Sequence, residues 1–119
     1  MRKLASFFIL TVFAATAAMA AQLTEQQKIT ALLDAFAKSD VTFVRNGEEH
    51  DGKYASKHLE EKLKEAKDVK TADDFIVKVG TASSHSGKPY IVKLKDGTQV
   101  ESAKWLQAKL KEIEKTQTN

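Results

Sequence analysis

Two short segments carry the side chains that are best suited to binding chemistry. Arg45 and Asn46 follow the apolar run VTFV, and Ser83–Tyr90 has the sequence SSHSGKPY. A guanidinium group can hold a carboxylate through two parallel hydrogen bonds, while hydroxyls and an aromatic ring suit a sugar or a carboxylate. Both segments are predicted to lie at strand ends, where a rigid scaffold can present side chains. The candidate binding residues are Arg45, Asn46, Ser83, Ser84, Ser86, Lys88 and Tyr90.

A purely structural interpretation of the same residues has equal weight. Hydroxyls in a Ser/Gly loop can cap backbone amides or helix carbonyls. Tyr90 could stack on a ligand or close a small core with its polar end at the surface, and Trp105 is expected in the core. Arg45 could form an internal salt bridge instead of binding a ligand, and its possible partners are Asp51, Asp73 and Asp74.

The serine-rich loop also suggests a second class of function, a small hydrolase. A nucleophilic serine needs a base that a third group orients, together with an oxyanion hole. The sequence has no G-x-S-x-G motif, and neighbours in sequence such as Ser84 and His85 do not face each other usefully. A non-enzymatic binding or accessory module is therefore the favoured interpretation. The alternative is a cell-wall-active hydrolase that combines the Ser83–Tyr90 loop with His58 or His85.

Metal and cofactor sites are not predicted. His50 and His58 lie near several acidic residues, but a zinc site needs three or four convergent ligands, and no zinc-binding pattern is present. Gly87-Lys88 does not form a phosphate-binding P-loop, because the first glycine is missing and no helix follows. The chain has no cysteine.

Four helices are predicted from apolar residues at helical spacing. Thr24 with Gln27 forms a capping box at the first start, and Thr71 is expected to cap the third helix. Gly80 could end that third helix early. The predicted helices are Leu23–Lys38 with Thr24 as its cap, Gly52–Ala66 capped by Asp51, about Ala72–Ala82, and a last helix capped by Ser102.

Two or three short antiparallel strands complete an α+β domain. Val41–Arg45 leads into a tight Asn46-Gly47 turn, after which any returning strand is short and at an edge. Tyr90–Lys95 and Thr98–Glu101 are predicted to form a hairpin around a two-residue Asp96-Gly97 turn. The last helix could instead start near Thr98 and remove the second strand. Pairing of the first strand with this hairpin would bring Arg45 near the serine loop.

The N-terminus has the three parts of a secretory signal peptide. Arg2 and Lys3 precede the apolar run Leu4–Ala15, and Ala18-Met19-Ala20 fits a cleavage site. We therefore predict a signal peptide over residues 1–20 and one globular domain over residues 21–119. An uncleaved anchor is the alternative, although the run is shorter than the roughly 20 residues of a membrane span.

Removal of the signal peptide changes the charge of the protein. The full chain carries a net charge of +3, whereas residues 21–119 hold 17 basic and 16 acidic side chains, a net charge of about +1. This balance gives no indication of nucleic-acid binding. The expected partner is an envelope protein or a cell-wall fragment, and no stable membrane insertion is expected after cleavage.

Several motifs together resemble a known family. FVRNGEEH (Phe43–His50), HLEEKL (His58–Leu63), TADDFI (Thr71–Ile76), SSHSGKPYIVKL (Ser83–Leu94) and Trp105-Leu106 follow one another in this order. They resemble the YfeK-like proteins, small exported bacterial proteins whose domain has no known function. The resemblance implies a single exported domain in the periplasm of a Gram-negative bacterium, and it brings no known activity, cofactor or catalytic residue.

The signal-peptide prediction can be checked by intact-mass analysis of the protein recovered from the periplasm. We expect a species that begins at Ala21, because the small residues at positions 18 and 20 suit signal peptidase. A recovered protein that still carries Met1 would contradict cleavage and would favour the uncleaved anchor.

Overall fold

The computed structural model describes residues 22–117, and these residues form four helices and four strands. The helices are α1 (Glu25–Lys38), α2 (Gly52–Glu65), α3 (Ala72–Lys78) and α4 (Ser102–Gln117). The strands are β1 (Thr42–Arg45), β2 (Glu48–His50), β3 (Ile91–Lys93) and β4 (Gln99–Glu101). The predicted α+β class is confirmed, while the predicted signal peptide lies outside the described residues.

Capping side chains begin the first two helices as the sequence predicts. Thr24 Oγ1 accepts a hydrogen bond from the Gln27 amide at 3.1 Å, and Gln27 Oε1 accepts one from the Thr24 amide at 2.9 Å. Asp51 Oδ1 accepts from the Tyr54 amide at 2.8 Å and caps α2. The predicted cap of the last helix is wrong, because Ser102 is the first residue of α4 and its buried hydroxyl has no hydrogen-bond partner.

Helix α3 has the predicted cap but is shorter than the predicted Ala72–Ala82. Thr71 and Asp74 form a reciprocal capping box at its start. The helix ends at Lys78, and the Gly80 amide then donates to the Phe75 carbonyl at 3.0 Å. The early end that Gly80 indicated is the correct alternative, and it leaves residues 79–90 free to form the loop beside the sheet.

The sheet has four antiparallel strands in the order β2-β1-β3-β4, rather than the two or three strands predicted. Both of the strands that the sequence left in doubt, β2 and β4, are present. Asn46 and Gly47 have φ angles of 52° and 83°, which fit a two-residue type I′ turn between β1 and β2. Because β4 pairs with β3, α4 starts at Ser102 and not near Thr98.

The turn between β3 and β4 corrects the predicted two-residue hairpin. The Gly97 amide donates to the Leu94 carbonyl at 2.9 Å, and the Leu94 amide donates to the Thr98 carbonyl at 2.8 Å. The loop therefore contains three residues, Lys95 to Gly97, and Gly97 takes a φ of 90°. A type I turn followed by a left-handed glycine gives this loop the twist that the strands need.

Strand register places Arg45 on the inner face of the sheet. Phe43 pairs with Val92, and both are fully buried. Since side chains alternate along a strand, Arg45 faces the same side as Phe43. The pairing of Val44 with Ile91, continued by one residue, places Tyr90 opposite Arg45. The predicted proximity of Arg45 to the serine loop is confirmed.

A row of aromatic rings passes through the core between the helices and the sheet. Trp105 stacks on Phe36 with ring centroids 4.3 Å apart, and Phe36 meets the edge of Phe43 at 5.6 Å. Phe43 in turn lies 4.9 Å from the ring of Tyr90. Trp105 is 8% exposed and Tyr90 1% exposed, so the predicted core position of Trp105 is confirmed and the ring of Tyr90 is also a core ring. No helix within residues 22–117 has the length and apolarity of a membrane span.

The close contact of α1 and α2 at Gly52 gives a test of this packing. A Cβ atom added at Gly52 would overlap the Phe36 carbonyl oxygen and lie 3.0 Å from Ser39 Oγ. We expect Gly52→Ala to lower the free energy of unfolding by about 2 kcal/mol, and so to lower the thermal midpoint by roughly 8–16 °C. Calorimetry measures both. Lys53→Ala, at the exposed neighbouring residue, is the control and should leave the midpoint nearly unchanged. Equal midpoints for the two variants would contradict the packing described.

Candidate functional site

A cleft of about 200 Å³ lies between helix α2 and the loop that precedes β3. Helix α2 contributes one wall, the end of β1 contributes the guanidinium of Arg45, and the serine loop contributes the remaining side. The lining residues are Arg45, His58, Glu61, Lys62, Glu65, Ser84, His85 and Tyr90. We call this the Arg45 cleft.

Arg45 enters the cleft without a carboxylate partner. Its Nη1 donates a hydrogen bond to the hydroxyl of Tyr54 at 3.0 Å, while its Nε is buried and has no hydrogen-bond partner among residues 22–117. Across the β1–β2 hairpin, Glu48 stays exposed and lies 3.9 Å from the ring of His50. No acidic oxygen within residues 22–117 lies within 4.0 Å of the guanidinium, so the alternative of an internal salt bridge to Asp51, Asp73 or Asp74 is wrong.

Lys62 is a second cation of the cleft that hydrogen-bonds only neutral acceptors. Its Nζ donates to the Ala82 carbonyl at 2.8 Å and to the Tyr90 hydroxyl at 3.1 Å. Burial lowers the pKa of this ammonium below its usual value, and the positive charge of Arg45 lowers the pKa further. The direction of this shift reflects the cost of burying the Lys62 ammonium near a second cation.

His58 completes the chain of hydrogen bonds through Tyr90. His58 Nε2 lies 3.1 Å from the Tyr90 hydroxyl, which also receives the hydrogen bond from Lys62. Since an ammonium can only donate, the tyrosine hydroxyl accepts from Lys62 and has its own hydrogen available for a neutral His58 Nε2. Burial lowers the pKa of His58, and the charges of Arg45 and Lys62 lower it further, against a weaker opposing effect of Glu61.

Three parallel rings support this arrangement from the side of α2. His50, at the end of β2, stacks on Tyr54 with ring centroids 3.7 Å apart, and Tyr54 stacks on His58 at 5.8 Å. The stack holds the Tyr54 hydroxyl where Arg45 can donate to it. These histidines serve packing here, and within the described part of the chain no three histidine or carboxylate side chains converge as a metal site.

Most of the predicted serine-loop residues hold the loop together. The buried Ser83 hydroxyl accepts from the amides of His85 and Ser86 at 3.3 and 3.4 Å, and from the Asn46 side-chain amide at 3.3 Å. The Ser86 hydroxyl donates to Asn46 Oδ1 and accepts from the Lys88 amide at 3.2 Å. Asn46 therefore ties the β1–β2 turn to the loop, as the structural interpretation expects.

The structure divides the predicted site residues into three groups. Arg45, Ser84 and the hydroxyl of Tyr90 line the cleft; Asn46, Ser83 and Ser86 fix the loop; and the exposed Lys88 does not line the cleft. Sequence reasoning did not assign Glu61, Lys62 and Glu65 to the site. The sequence feature that could have identified them is their spacing from His58. Residues three, four and seven positions apart lie on the same face of a helix.

The cleft combines unpaired hydrogen-bond donors with a serine, and this combination suits an anion. The free edge of Arg45, the exposed Ser84 and the exposed His85 can all contribute to binding. No histidine ring within residues 22–117 is hydrogen-bonded to a serine hydroxyl, because His58 bonds Tyr90 and only the backbone amide of His85 reaches Ser83. A nucleophile and a base are thus not paired in this cleft.

The lowered pKa of His58 predicts a pH dependence of stability. As the pH falls through about 6.5, the unfolded chain binds a proton at this position before the folded protein does, so acidification lowers the free energy of unfolding. We expect a lower thermal midpoint at pH 5.5 than at pH 7.5. The difference should shrink in His58→Gln and persist in His85→Gln, which changes an exposed ring. An unchanged pH dependence in His58→Gln would contradict the burial of a neutral imidazole.

Comparison with known proteins gives a family but no activity. The model of a family of unknown function (DUF5329) matches residues 23–114. The uncharacterized protein YfeK of Salmonella typhimurium (strain LT2) is 47% identical over 68 residues, which make up 56% of this chain and 57% of that protein. The match thus spans less than two thirds of the relative's length. No solved structure matches the chain. The chain belongs to the family of unknown function DUF5329, and the YfeK-like resemblance of its motifs is confirmed.

Proposed function

We propose that this protein is a non-enzymatic binding module of the cell envelope that holds an anionic group of a partner in the Arg45 cleft. The observation that carries the proposal is the guanidinium of Arg45, which is half-buried and has no carboxylate within salt-bridge distance among residues 22–117. The predicted signal peptide supports an envelope location. An envelope protein or a cell-wall fragment is the proposed source of the anion.

Burying the positive charge of Arg45 without a counterion costs free energy. A buried ionised group without a counterion loses favourable interactions with water. Charge-assisted hydrogen bonds to an anion would offset that loss. The buried Nε of Arg45 is one donor that the protein leaves unsatisfied. Burial is the main cause of the lowered pKa values of His58 and Lys62, and the positive charge of Arg45 lowers both further. An anion in the cleft would therefore gain from the positive charges of Arg45 and Lys62.

The absence of a paired nucleophile favours binding over hydrolysis. Acyl transfer by a serine needs an activated hydroxyl, and Ser84 in the cleft has no histidine hydrogen-bonded to it. The remaining loop hydroxyls are engaged with backbone amides and with Asn46. The module therefore recognises its ligand and leaves it chemically unchanged.

Two substitutions separate a binding role from a structural one. We expect Arg45→Ala to weaken binding of acetate by tenfold or more, since hydrogen bonds to charged groups contribute about 1.5–3 kcal/mol, and Ser84→Ala to weaken it by a smaller factor. Both variants should melt within a few degrees of the wild type. Titration followed by NMR measures binding, and calorimetry measures the midpoint. Lys57→Ala, at an exposed position on α2 away from the cleft, is the control.

The opposite outcome would assign these residues to the fold alone. If Arg45→Ala and Ser84→Ala both melt several degrees early and still bind acetate as the wild type does, the cleft is not the binding site. Capture of periplasmic partners by the wild type and by Arg45→Ala then extends the test from the isolated anion to the natural ligand.

A further inference from the structure

The Arg45 cleft is lined by carboxylates as well as by the cations Arg45 and Lys62. Glu61 and Glu65 lie on α2 and line the same cleft as Arg45 and His58. Both carboxylates are exposed, and neither has a cation within 4.0 Å among the described residues. Like charges four residues apart on a helix repel one another, so this pair weakens the isolated helix slightly. The cleft thus contains unpaired charges of both signs.

Helix geometry gives the distance along α2 between the end near Arg45 and the two glutamates. Arg45 is hydrogen-bonded to Tyr54 in the first turn of α2, whereas Glu61 and Glu65 follow seven and eleven residues later. At a rise of about 1.5 Å per residue, these positions lie roughly 10 and 16 Å further along the helix axis. The distance exceeds what a single small anion can span.

A second cavity extends the cleft past Lys62 and Glu65. This cavity, of about 260 Å³, shares Lys62, Glu65 and Ser84 with the Arg45 cleft and continues toward Lys78. The Nζ of Lys78 is already bonded to the Asp68 carbonyl at 2.9 Å. The two adjoining cavities therefore form a trough along α2, with the guanidinium of Arg45 at one end and Glu61, Lys62 and Glu65 farther along.

We infer that the ligand of this trough is zwitterionic, a short peptide whose free carboxylate binds Arg45 and whose ammonium group lies against Glu61 and Glu65. This inference rests on the proposed function, because it needs an anion at Arg45. An extended peptide spans about 3.3–3.6 Å per residue, so roughly three to five residues bridge separations of this size. Ser84 and the exposed side of His85 provide hydrogen-bonding groups between the two ends.

Two tripeptides test the inference, because they differ only at the amino end, where acetylation removes the positive charge and adds an acetyl group. Trialanine carries an ammonium and a carboxylate, while N-acetyl-trialanine carries the carboxylate alone. We expect the full-length mature protein to bind trialanine about threefold to tenfold more tightly, as expected for one or two partly exposed ion pairs. The double variant Glu61→Gln/Glu65→Gln should lose this preference by binding trialanine more weakly. Glu60→Gln changes a charge on the same helix outside the cleft and is the control.

The sign of the change in the double variant decides the result. If the site recognises only the carboxylate of the peptide, removing the two glutamate charges reduces repulsion and tightens the binding of both tripeptides. That result overturns the zwitterion inference and leaves the proposed function standing. If the wild type binds neither tripeptide and does not bind acetate, the proposed function fails as well. Calorimetric midpoints of the variants exclude loss of the fold as the cause, because both glutamates are exposed.

Discussion

Tyr90 is the residue on which most of this structure depends. Its ring is buried against Phe43, and its backbone amide and carbonyl bond Thr81 and Ser102, each at 2.9 Å. These contacts join the end of α3, the sheet and the start of α4. The hydroxyl is the constraint, because a buried phenol needs hydrogen-bond partners and here it takes them from Lys62 and His58 of α2. Burial also raises the pKa of this phenol and keeps it neutral.

The hydrogen bonds of the buried Tyr90 hydroxyl determine how Lys62 and His58 are placed beside Arg45. Lys62 is turned inward to reach Tyr90 and Ala82, and His58 is held as an uncharged acceptor beside it. Arg45 then faces two groups that cannot neutralise it. A natural core usually pairs such a cation, and a cleft that leaves it unpaired keeps binding energy available for a ligand. The fold and the proposed site therefore share the same residues.

Local signals in the sequence predicted the elements well and the cleft only in part. Capping boxes at Thr24 and Thr71 and the Asn46-Gly47 turn depend on residues close in sequence, so their chemistry can be recognised directly. The three-residue loop at Gly97 was missed because Asp-Gly is compatible with two hairpin types. The prediction of Ser102 as a cap is wrong. The pairing of β3 with β4 continues to Glu101, so Ser102 is already the first residue of α4.

Tertiary contacts decide which of the predicted site residues line the cleft and which hold the loop, and no local sequence pattern reveals these contacts. Ser83 and Ser86 resemble binding groups in sequence, yet they bond the loop and Asn46 across 37 and 40 positions of the chain. Lys62 resembles an exposed helix lysine until the fold brings Tyr90 to it. Arg45 was recognised by its chemistry, but its lack of an acidic partner is visible only when all the acidic residues have been placed.

The proposed function requires that the Arg45 guanidinium, which has no carboxylate partner among residues 22–117, takes an anion. Arg45 is the only arginine in residues 21–119, so a protein that comprises these residues gives a single arginine Nε–H resonance that needs no assignment. We would follow this resonance by ¹H–¹⁵N NMR during titration with acetate and with trialanine. The account predicts a saturable shift of the proton to higher frequency and slower exchange with solvent, as a charge-assisted hydrogen bond forms. A resonance that neither shifts nor gains protection at saturating ligand would contradict it.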